Sequence, residues 1–256
     1  MYQYVYDNCL SDKRYTKVVA ELENRLTDLG IHGRIDRMHP LKSLRECIED
    51  GIKKGVKTVI AVGNDETLKK LLDIIPGKDL VLGFVPIGGG SVVARMLGIP
   101  EGVAACDVLS ARLTETLDIG RVNGQYFLTA VSFSAKNVEV ECEGRYRVEL
   151  LRGGRVTVCN IASMDADAPS HIADPFDGFL DAVLAPGQGG GFFRKGSTGQ
   201  QSVLKLRKIV ARAKDPFTLI ADGRALEQQT AEIDIAKEQV RIIIGKNRIF
   251  ASRRSV

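Results

Sequence analysis

The sequence lacks closely spaced pairs of cysteine. Its five cysteines are an odd number, lie far apart and form no CxxC motif. A disulfide framework and a zinc site both require cysteines at short, regular spacing, so the pattern predicts neither of them. Isolated cysteines of this kind are typical of proteins from a reducing compartment.

The sequence also lacks the signals of export and of membrane insertion. It has no basic start followed by a long apolar core, and no run of about 18 consecutive apolar residues. This composition predicts no signal peptide and no membrane-spanning helix. We therefore expect a cytoplasmic protein, and we leave open a peripheral contact with the inner face of the membrane.

A strong excess of one charge is absent as well. The chain has 36 basic residues against 32 acidic ones, and they are spread along its length. Such a diffuse charge argues against nucleic acid as a partner, whereas the mild basic surplus suits an anionic small substrate or a membrane surface. Hydrophobic residues make up 44% of the chain, which is enough to bury one large core or two medium ones.

What the first part of the chain does contain is an alternation of short apolar runs and helical periods. Val59 to Val62 is a continuous apolar run within a buried strand predicted at Val56 to Val62, and leucines recur at helical spacing after Thr67. Ser11 is predicted to cap an earlier helix. Strands and helices in alternation predict a parallel sheet covered by helices, and we place this α/β domain at residues 1–105.

The later part of the chain has the pattern of an antiparallel β protein. Asn123-Gly124 lies between two strand-like runs, which is a strong hairpin signal, and Gly153-Gly154 predicts a second hairpin. We therefore predict an antiparallel β-sandwich domain at residues 106–256. Whether its final strand region packs back toward the first domain is left open.

A glycine turn and an acidic pair separate a strand from a helix in VIAVGNDETLKKLL, Val59 to Leu72. In one interpretation Asn64 or Asp65 caps the helix, and Glu66 lies where the helix dipole favours negative charge. In the other, the turn leaves backbone N–H groups free to bind phosphate, and a divalent cation lies between the phosphate and the carboxylates. This segment by itself favours the cap.

Three loops of the first domain follow strands and are expected to meet. They are Asp7 to Ser11, Gly63 to Thr67, and Pro86 to Ser91. Ligands of open parallel sheets bind beyond the carboxyl ends of the strands. The third loop contains consecutive glycines directly before a helix, so a phosphate can approach backbone that a Cβ would obstruct. Together the three loops favour a phosphate site.

Two segments carry a family resemblance: AVGNDETLKKLLDII and LGFVPIGGGSVVARMLGIP. They resemble the diacylglycerol kinase catalytic family, which includes bacterial lipid kinases and sphingosine kinases and shares its fold with NAD kinases. Gly63, Asp65 and Thr67 match the family's Gly-Gly-Asp-Gly-Thr signature. The segments VYDNCLS, DPFDGFLDAVL and LIADGRAL are similar, in the family's order, to its Asn-Pro-X-Ser-Gly loop, its Asp-Gly-X-Leu-Asp strand and its Asp-Gly-Glu motif.

The resemblance implies an ATP- and magnesium-dependent kinase that transfers the γ-phosphate of ATP to a hydroxyl of a lipid or of another small molecule. It implies a nucleotide-binding first domain, with ATP in the cleft between the two domains; a homodimer is left open. The residues implied to contact the nucleotide or its metal in the three loops are Asn8, Ser11, Gly63, Asn64, Asp65, Glu66, Thr67, Gly88, Gly89, Gly90 and Ser91. Asp177 is implied to hold a metal, and Asp222 and Asp65 are implied to be catalytic.

The sequence departs from the family pattern at several of these positions. The glutamate of Asp-Gly-Glu is Arg224, a glycine of the first signature is Glu66, and an Asn-Asp pair is Val92-Val93. Arginine cannot accept a substrate proton, although it can bind an anionic headgroup or a nucleotide phosphate. The alternative prediction is therefore a catalytically silent, nucleotide-binding regulatory relative. Asp222-Gly is also equally typical of a simple hairpin turn.

Overall fold

The computed structural model describes residues 1–38, 43–149, 154–163, 171–187 and 201–251. The chain forms two compact units. One consists of Met1–Leu117 together with Glu238–Val256, and the other of Asp118–Lys237. The predicted domain limits, 1–105 and 106–256, differ from these bounds and stay a prediction.

The first unit is built on a parallel sheet. Its strands are β1 (Tyr2–Tyr6), β2 (Arg34–Arg37), β3 (Thr58–Gly63) and β4 (Val81–Pro86), and its helices are α1 (Thr16–Asp28), α2 (Leu44–Lys53), α3 (Asp65–Leu72), α4 (Val92–Met96) and α5 (Ala105–Ala111). The strand order is β2-β1-β3-β4, and each neighbouring pair is parallel. Every residue of β3 is buried, as expected of a central strand in a helix-covered sheet. The predicted α/β class is confirmed.

The first helix begins later than predicted. Ser11 does not cap it, because Ser11 ends a short 3₁₀-helix at Asn8–Ser11 and α1 begins at Thr16. The carboxylates of Asp7 and Asp12 each accept the amide hydrogen of the residue two positions on, at 2.9 Å. These local hydrogen bonds stabilise two tight turns in place of a first helical turn.

The second unit is built on antiparallel strands, as predicted. The strands in this part of the chain are β5 (Thr114–Val122), β6 (Gln125–Phe127), β7 (Ala130–Ser134), β8 (Glu139–Cys142), β9 (Tyr146–Val148), β10 (Gly154–Cys159), β11 (Leu180–Pro186), β12 (Ser202–Leu206), β13 (Lys208–Ala221) and β14 (Arg224–Ile243). The main order is β12-β11-β10-β7-β13-β14, with β8 joined to β13 and β9 joined to β8. Phe127, Phe133, Leu219 and Ile233 are fully buried in its core.

Two hairpins of this unit close on two-residue turns. Asn123-Gly124 joins β5 to β6, and Asp222-Gly223 joins β13 to β14. All four residues have positive φ, at 49°, 81°, 47° and 80° in chain order. This is the turn geometry that matches the twist of the flanking strands and that Asn-Gly and Asp-Gly favour. The hairpin predicted at Asn123 is therefore confirmed.

The second predicted hairpin, at Gly153-Gly154, is wrong. Gly153 lies outside the described residues, but the strands on either side are not partners of each other. β9 pairs with β8, whereas β10 pairs with β7 and β11. Val156 and Val158 of β10 are fully buried, and a strand in the interior of a sheet buries such residues better than an edge strand does.

The end of β14 belongs to the first unit. Arg241 and Ile242 pair in parallel with Val81 and Leu82 of β4. The same unit includes α5, whose Leu109 is buried against β4. These contacts explain why the unit extends past residue 105 and includes the last part of the chain. None of the helices in the described ranges has the length and hydropathy needed to cross a bilayer.

Candidate functional site

Three loops leave the sheet of the first unit at the same edge. The Asp7 N–H donates to the Val62 carbonyl at 2.9 Å, and the Ile87 N–H donates to the Gly63 carbonyl at 2.7 Å. These bonds continue the parallel ladders beyond β1, β3 and β4. The loops that follow the three strands are therefore neighbours, as the order of strands and helices predicted.

Asp65 connects the second loop to the third. It is the first residue of α3, and its carboxylate accepts a hydrogen bond from the Ser91 hydroxyl. Its other oxygen accepts from the Val92 N–H at 3.0 Å. Ser91 in turn caps α4 by accepting from the Ala94 N–H at 3.0 Å. One carboxylate thus fixes the end of the glycine loop. Because Asp65 and Ser91 are far apart in the sequence, neither segment alone predicts this contact.

Thr67 connects the second loop to the first. Its hydroxyl donates to the Asp7 carboxylate at 2.7 Å, and the other Asp7 oxygen accepts from the Cys9 N–H at 2.9 Å. Burial alone would raise the pKa of the Asp7 carboxyl, but the hydrogen bonds from Cys9 and Thr67 and the charge of Lys70 hold it below its usual value. Asp7 was not predicted as a site residue; the available signal was its position directly after a buried strand.

The start of α3 shows which residue caps this helix. Asn64 is the capping residue, and its side chain accepts from the Thr67 N–H at 3.2 Å. Asp65 and Glu66 occupy the first turn of the helix. Gly63 has a φ of 152°, and a Cβ there would lie 2.5 Å from the Thr67 hydroxyl oxygen. The turn therefore requires glycine. The capping of α3 by Asn64 is compatible with a ligand at the neighbouring loops.

The glycine loop exposes its main chain. Gly88, Gly89 and Gly90 have φ values of 110°, 84° and 76°. A Cβ on Gly90 would meet no atom within 4 Å, and on Gly89 it would meet only the Glu101 carboxylate, at 3.9 Å. A cavity of about 210 Å³ adjoins the loop, with Ser91 and Glu101 among its lining residues. Such a loop leaves room for an anion to approach backbone N–H groups.

Other residues of the first unit lie around these loops. Asn8 and Ser11 are exposed on the 3₁₀-helix that follows β1. Tyr15 is a residue that sequence analysis missed: its hydroxyl lies 3.4 Å from where a Cβ on Gly88 would be, and the Arg14 guanidinium lies over its ring at 4.8 Å. No motif pointed to Tyr15, since only the fold brings it to the glycine loop.

Asp222 belongs to the second unit, and its carboxylate accepts three hydrogen bonds. It accepts from the Leu128 N–H at 2.8 Å, from the Thr129 N–H at 2.7 Å and from the Thr129 hydroxyl at 2.6 Å. A carboxylate has about four lone-pair positions, so three of them are taken. Asp222 therefore ties the β13–β14 turn to the start of β7, and the exposed Arg224 is the first residue of β14.

Asp177, the predicted metal residue, also lies in the second unit. One of its oxygens accepts from the Lys205 ammonium, and the other accepts from the Phe179 N–H at 3.0 Å. Within the described ranges, no three His, Cys, Asp or Glu side chains are grouped so as to hold a metal ion. The loops of the first unit include none of Asp177, Asp222 and Arg224.

The Asp7–Thr67 contact predicts a pH-dependent contribution to stability. Because the pKa of Asp7 is lowered by folding, its stabilising effect is present above the unfolded value of about 3.9 and is lost as pH falls through the folded value. We expect Asp7→Asn to reduce the free energy of unfolding near neutral pH by less than about 1 kcal/mol, allowing for solvent screening. Urea unfolding at pH 7 and pH 3 should show this difference shrinking at the lower pH.

Asp79→Asn is the control for this measurement. The Lys57 ammonium, 2.7 Å from the Asp79 carboxylate, lowers the pKa of that carboxyl in an exposed ion pair. High salt should remove the effect of Asp79→Asn, because exposed charges are screened. It should leave most of the effect of Asp7→Asn, which rests on hydrogen bonds. An Asp7 effect that salt removes equally well would contradict this interpretation.

Comparison with solved structures shows the fold. The solved structure of a diacylglycerol kinase from Bacillus anthracis str. Sterne superposes with a TM-score of 0.71, covering 97% of this chain and 98% of that chain at 16% sequence identity. At this identity the likeness shows the fold: a parallel α/β sheet followed by antiparallel strands. The two-part architecture predicted from the sequence is thus the fold of a solved diacylglycerol kinase.

Sequence matches cover part of the chain. Residues 8–122 match the family model of the diacylglycerol kinase catalytic domain, which confirms the resemblance for this part of the chain. A diacylglycerol kinase of Mycobacterium tuberculosis (strain ATCC 25618 / H37Rv) is 34% identical over 80 residues, 30% of this chain and 26% of that protein. A diacylglycerol kinase of Bacillus subtilis (strain 168) is 36% identical over 74 residues, 27% and 24% of the two chains. The matched segments span about a quarter of the length of these relatives.

Proposed function

We propose that the protein is a lipid kinase that transfers the γ-phosphate of ATP to a lipid hydroxyl group. The observation that carries the proposal is the joining of three loops at one edge of the parallel sheet, through Asp7–Thr67 and Asp65–Ser91. Phosphoryl transfer depends mainly on positioning and charge neutralisation, and joined loops with exposed backbone suit that task. The names of the matched relatives support the choice of a lipid substrate.

The residues present fit a magnesium nucleotide. The open space over Gly89 and Gly90 admits phosphate oxygens to backbone N–H groups, where a side chain would fill the same space. Magnesium in nucleotide sites usually takes one or two carboxylates and completes its shell with phosphate oxygens and water. Asp65 is a sufficient protein ligand for such an ion. When bound, magnesium ATP supplies the phosphoryl group and neutralises its charge.

The proton of the substrate hydroxyl requires an acceptor, and the two carboxylates predicted to be catalytic are Asp222 and Asp65. Asp222 already accepts three hydrogen bonds, whereas Asp65 accepts two. Asp65 therefore retains more free lone pairs for a substrate or an ion. We assign proton acceptance and magnesium binding to Asp65, and to Asp222 the positioning of its own turn. Asn8, Ser11 and Thr67 border the phosphates in this proposal.

A silent, nucleotide-binding regulatory protein is the second candidate. Two observations favour it: Arg224 stands where the family motif has glutamate, and the Asp222 carboxylate is engaged by Leu128 and Thr129. A protein of this kind would bind ATP through the same loops of the first unit without transferring phosphate. Arg224 would then serve to bind an anionic group.

One set of measurements separates the two candidates. Magnesium ATP should raise the thermal midpoint, because a ligand that binds only the folded state stabilises it, by about 2.7 kcal/mol at 100 times its Kd. With ATP labelled in the γ-phosphate and diacylglycerol in mixed micelles, we expect labelled lipid from the wild type. We expect a higher turnover from Arg224→Glu, since this change restores an acid at the family position.

Each alternative result has a distinct meaning. A raised midpoint without labelled lipid, for the wild type and for Arg224→Glu over a panel of lipids, favours the silent nucleotide-binding protein. An unchanged midpoint at millimolar ATP contradicts both candidates. Labelled lipid from the wild type together with a loss of turnover in Arg224→Glu supports the kinase and assigns Arg224 to anion binding.

A further inference from the structure

A lysine neutralises the aspartate at which the family resemblance implies a metal. Asp177 lies just before β11, and the Lys205 ammonium of β12 donates to one of its carboxylate oxygens. The Asp177 side chain is 22% exposed and that of Lys205 is 56% exposed. The carboxylate is thus mostly covered, while the lysine stem crosses the surface to reach it.

The pairing of β11 with β12 places the lysine at this loop. Lys205 is directly opposite Asp181 in the antiparallel register, so the two side chains project from the same face. The hydrogen bond to Asp177 is the main cause that raises the pKa of the Lys205 ammonium, and the charges of Asp181 and Asp174 add to it. Arg207, two residues further on, lies over the Phe179 ring at 4.9 Å. Lys205 of β12 and Arg207, just after β12, therefore present two cations to an acidic loop.

The rest of the loop is held by hydrogen bonds within the protein. Asp118 accepts from the Gly178 N–H at 2.8 Å, and its own N–H donates to the Pro175 carbonyl at 2.8 Å. Asp181 lies 2.7 Å from the His171 ring nitrogen Nε2. Both Asp118 and Asp181 are buried, so these contacts satisfy carboxylates that would otherwise be costly to bury.

These contacts do not fit a divalent cation at Asp177. Magnesium and calcium require several oxygen ligands in a defined arrangement. Here one Asp177 oxygen faces a cation already, the other accepts a backbone N–H, and no group of three metal-ligating side chains occurs in the described ranges. An ion brought to this carboxylate would be repelled by the lysine unless the lysine moved away.

We propose that the Lys205 ammonium replaces the divalent cation next to Asp177, so that this loop is held by a built-in charge and needs no metal. An ammonium is a compact point charge with three donors, which lets it substitute for a small hydrated cation beside a carboxylate. Any magnesium requirement of the protein then belongs to the nucleotide alone. The inference does not depend on phosphoryl transfer, since it concerns a loop of the second unit.

Binding of manganese to the full chain without nucleotide tests this inference. Titration followed by the electron paramagnetic resonance signal of free Mn²⁺ should give the same number of sites for the wild type and for Asp177→Asn. Lys205→Met should gain one weak site, in which water supplies the oxygen ligands that the loop lacks, and the double variant with Asp177→Asn should lack it. A site in the wild type that Asp177→Asn removes, or no gain in Lys205→Met, would overturn the proposal.

Thermal unfolding gives a second readout with a matched control. Lys208→Met removes a neighbouring half-exposed lysine, whose ammonium lies 2.6 Å from the Glu232 carboxylate. In the presence of a chelator, Lys205→Met should lower the thermal midpoint by about 2 to 4 °C, and Lys208→Met by less. Millimolar magnesium should reverse part of the loss in Lys205→Met alone. Equal losses in the two variants, or equal recovery with magnesium, would count against a special role for Lys205.

Discussion

Replacing Asp65 by asparagine is expected to reduce phosphoryl transfer by about 100- to 1,000-fold, which is the usual effect of removing one group that stabilises charge in a transition state. Asparagine has nearly the same shape, and its carbonyl oxygen can still accept from the Val92 N–H. The Ser91 hydroxyl can rotate to accept from the new amide. The loops should therefore keep their positions while the negative charge is lost. Initial rates of lipid labelling at saturating ATP measure the effect, and the thermal midpoint reports any loss of structure.

The matched control is Asp107→Asn. Asp107 also lies in the first turn of a helix of the first unit, but its partner is the exposed Arg25, at 2.6 Å. The change removes the same charge from the same kind of position, away from the three loops. We expect the rate to stay within about twofold, because an exposed ion pair contributes little even to stability. An Asp65→Asn protein within tenfold of the wild type, or an equal loss in Asp107→Asn, would remove Asp65 from the proposed chemistry.

The parts of the fold that depend on local patterns could be predicted from the sequence. The apolar run before Gly63 became β3, and Asn123-Gly124 became a hairpin, because burial and turn geometry act on neighbouring residues. The meeting of the three loops also followed from local information. Parallel strands in alternation with helices all present their carboxyl ends at one edge, so Asp7 and Thr67 could be expected near each other.

The contacts that complete the candidate site depend on residues far apart in the chain. Asp65 could be seen to suit a helix start, yet nothing in the sequence indicates that its carboxylate accepts from Ser91. Asp177 matched a family motif, but the ammonium on it comes from a strand whose register is set by pairing in three dimensions. The failure at Gly154 has the same origin, since glycine marks a turn without naming the strands that pair.

Gly245→Ala is expected to destabilise the protein by about 3 kcal/mol or more, the upper part of the range for overpacked positions. A Cβ on Gly245 would lie 1.8 Å from the Gly98 carbonyl oxygen, and Gly98, with a φ of 68°, has no more room: a Cβ there would lie 2.5 Å from the Arg248 amide nitrogen. The Gly245 N–H also donates to the Leu97 carbonyl at 2.8 Å. The backbone after β14 thus packs directly on the Leu-Gly-Ile-Pro segment, and a methyl group must push two main chains apart.

Gly55→Ala is the control that separates backbone strain from steric conflict. Gly55 has a φ of 84°, and a Cβ there would meet no atom within 4 Å. Alanine at Gly55 should cost about 1 to 2 kcal/mol, the usual penalty of a left-handed conformation, whereas the cost at Gly245 comes from contact with Gly98. Urea unfolding measures the free-energy loss in both variants. For a chain of this size, we also expect Gly245→Ala to lower the thermal midpoint by about 6 to 12 °C. If Gly245→Ala loses no more free energy of unfolding than Gly55→Ala, the two segments can separate without cost. The close packing of the chain end on Leu97 and Gly98 would then not stabilise the first unit.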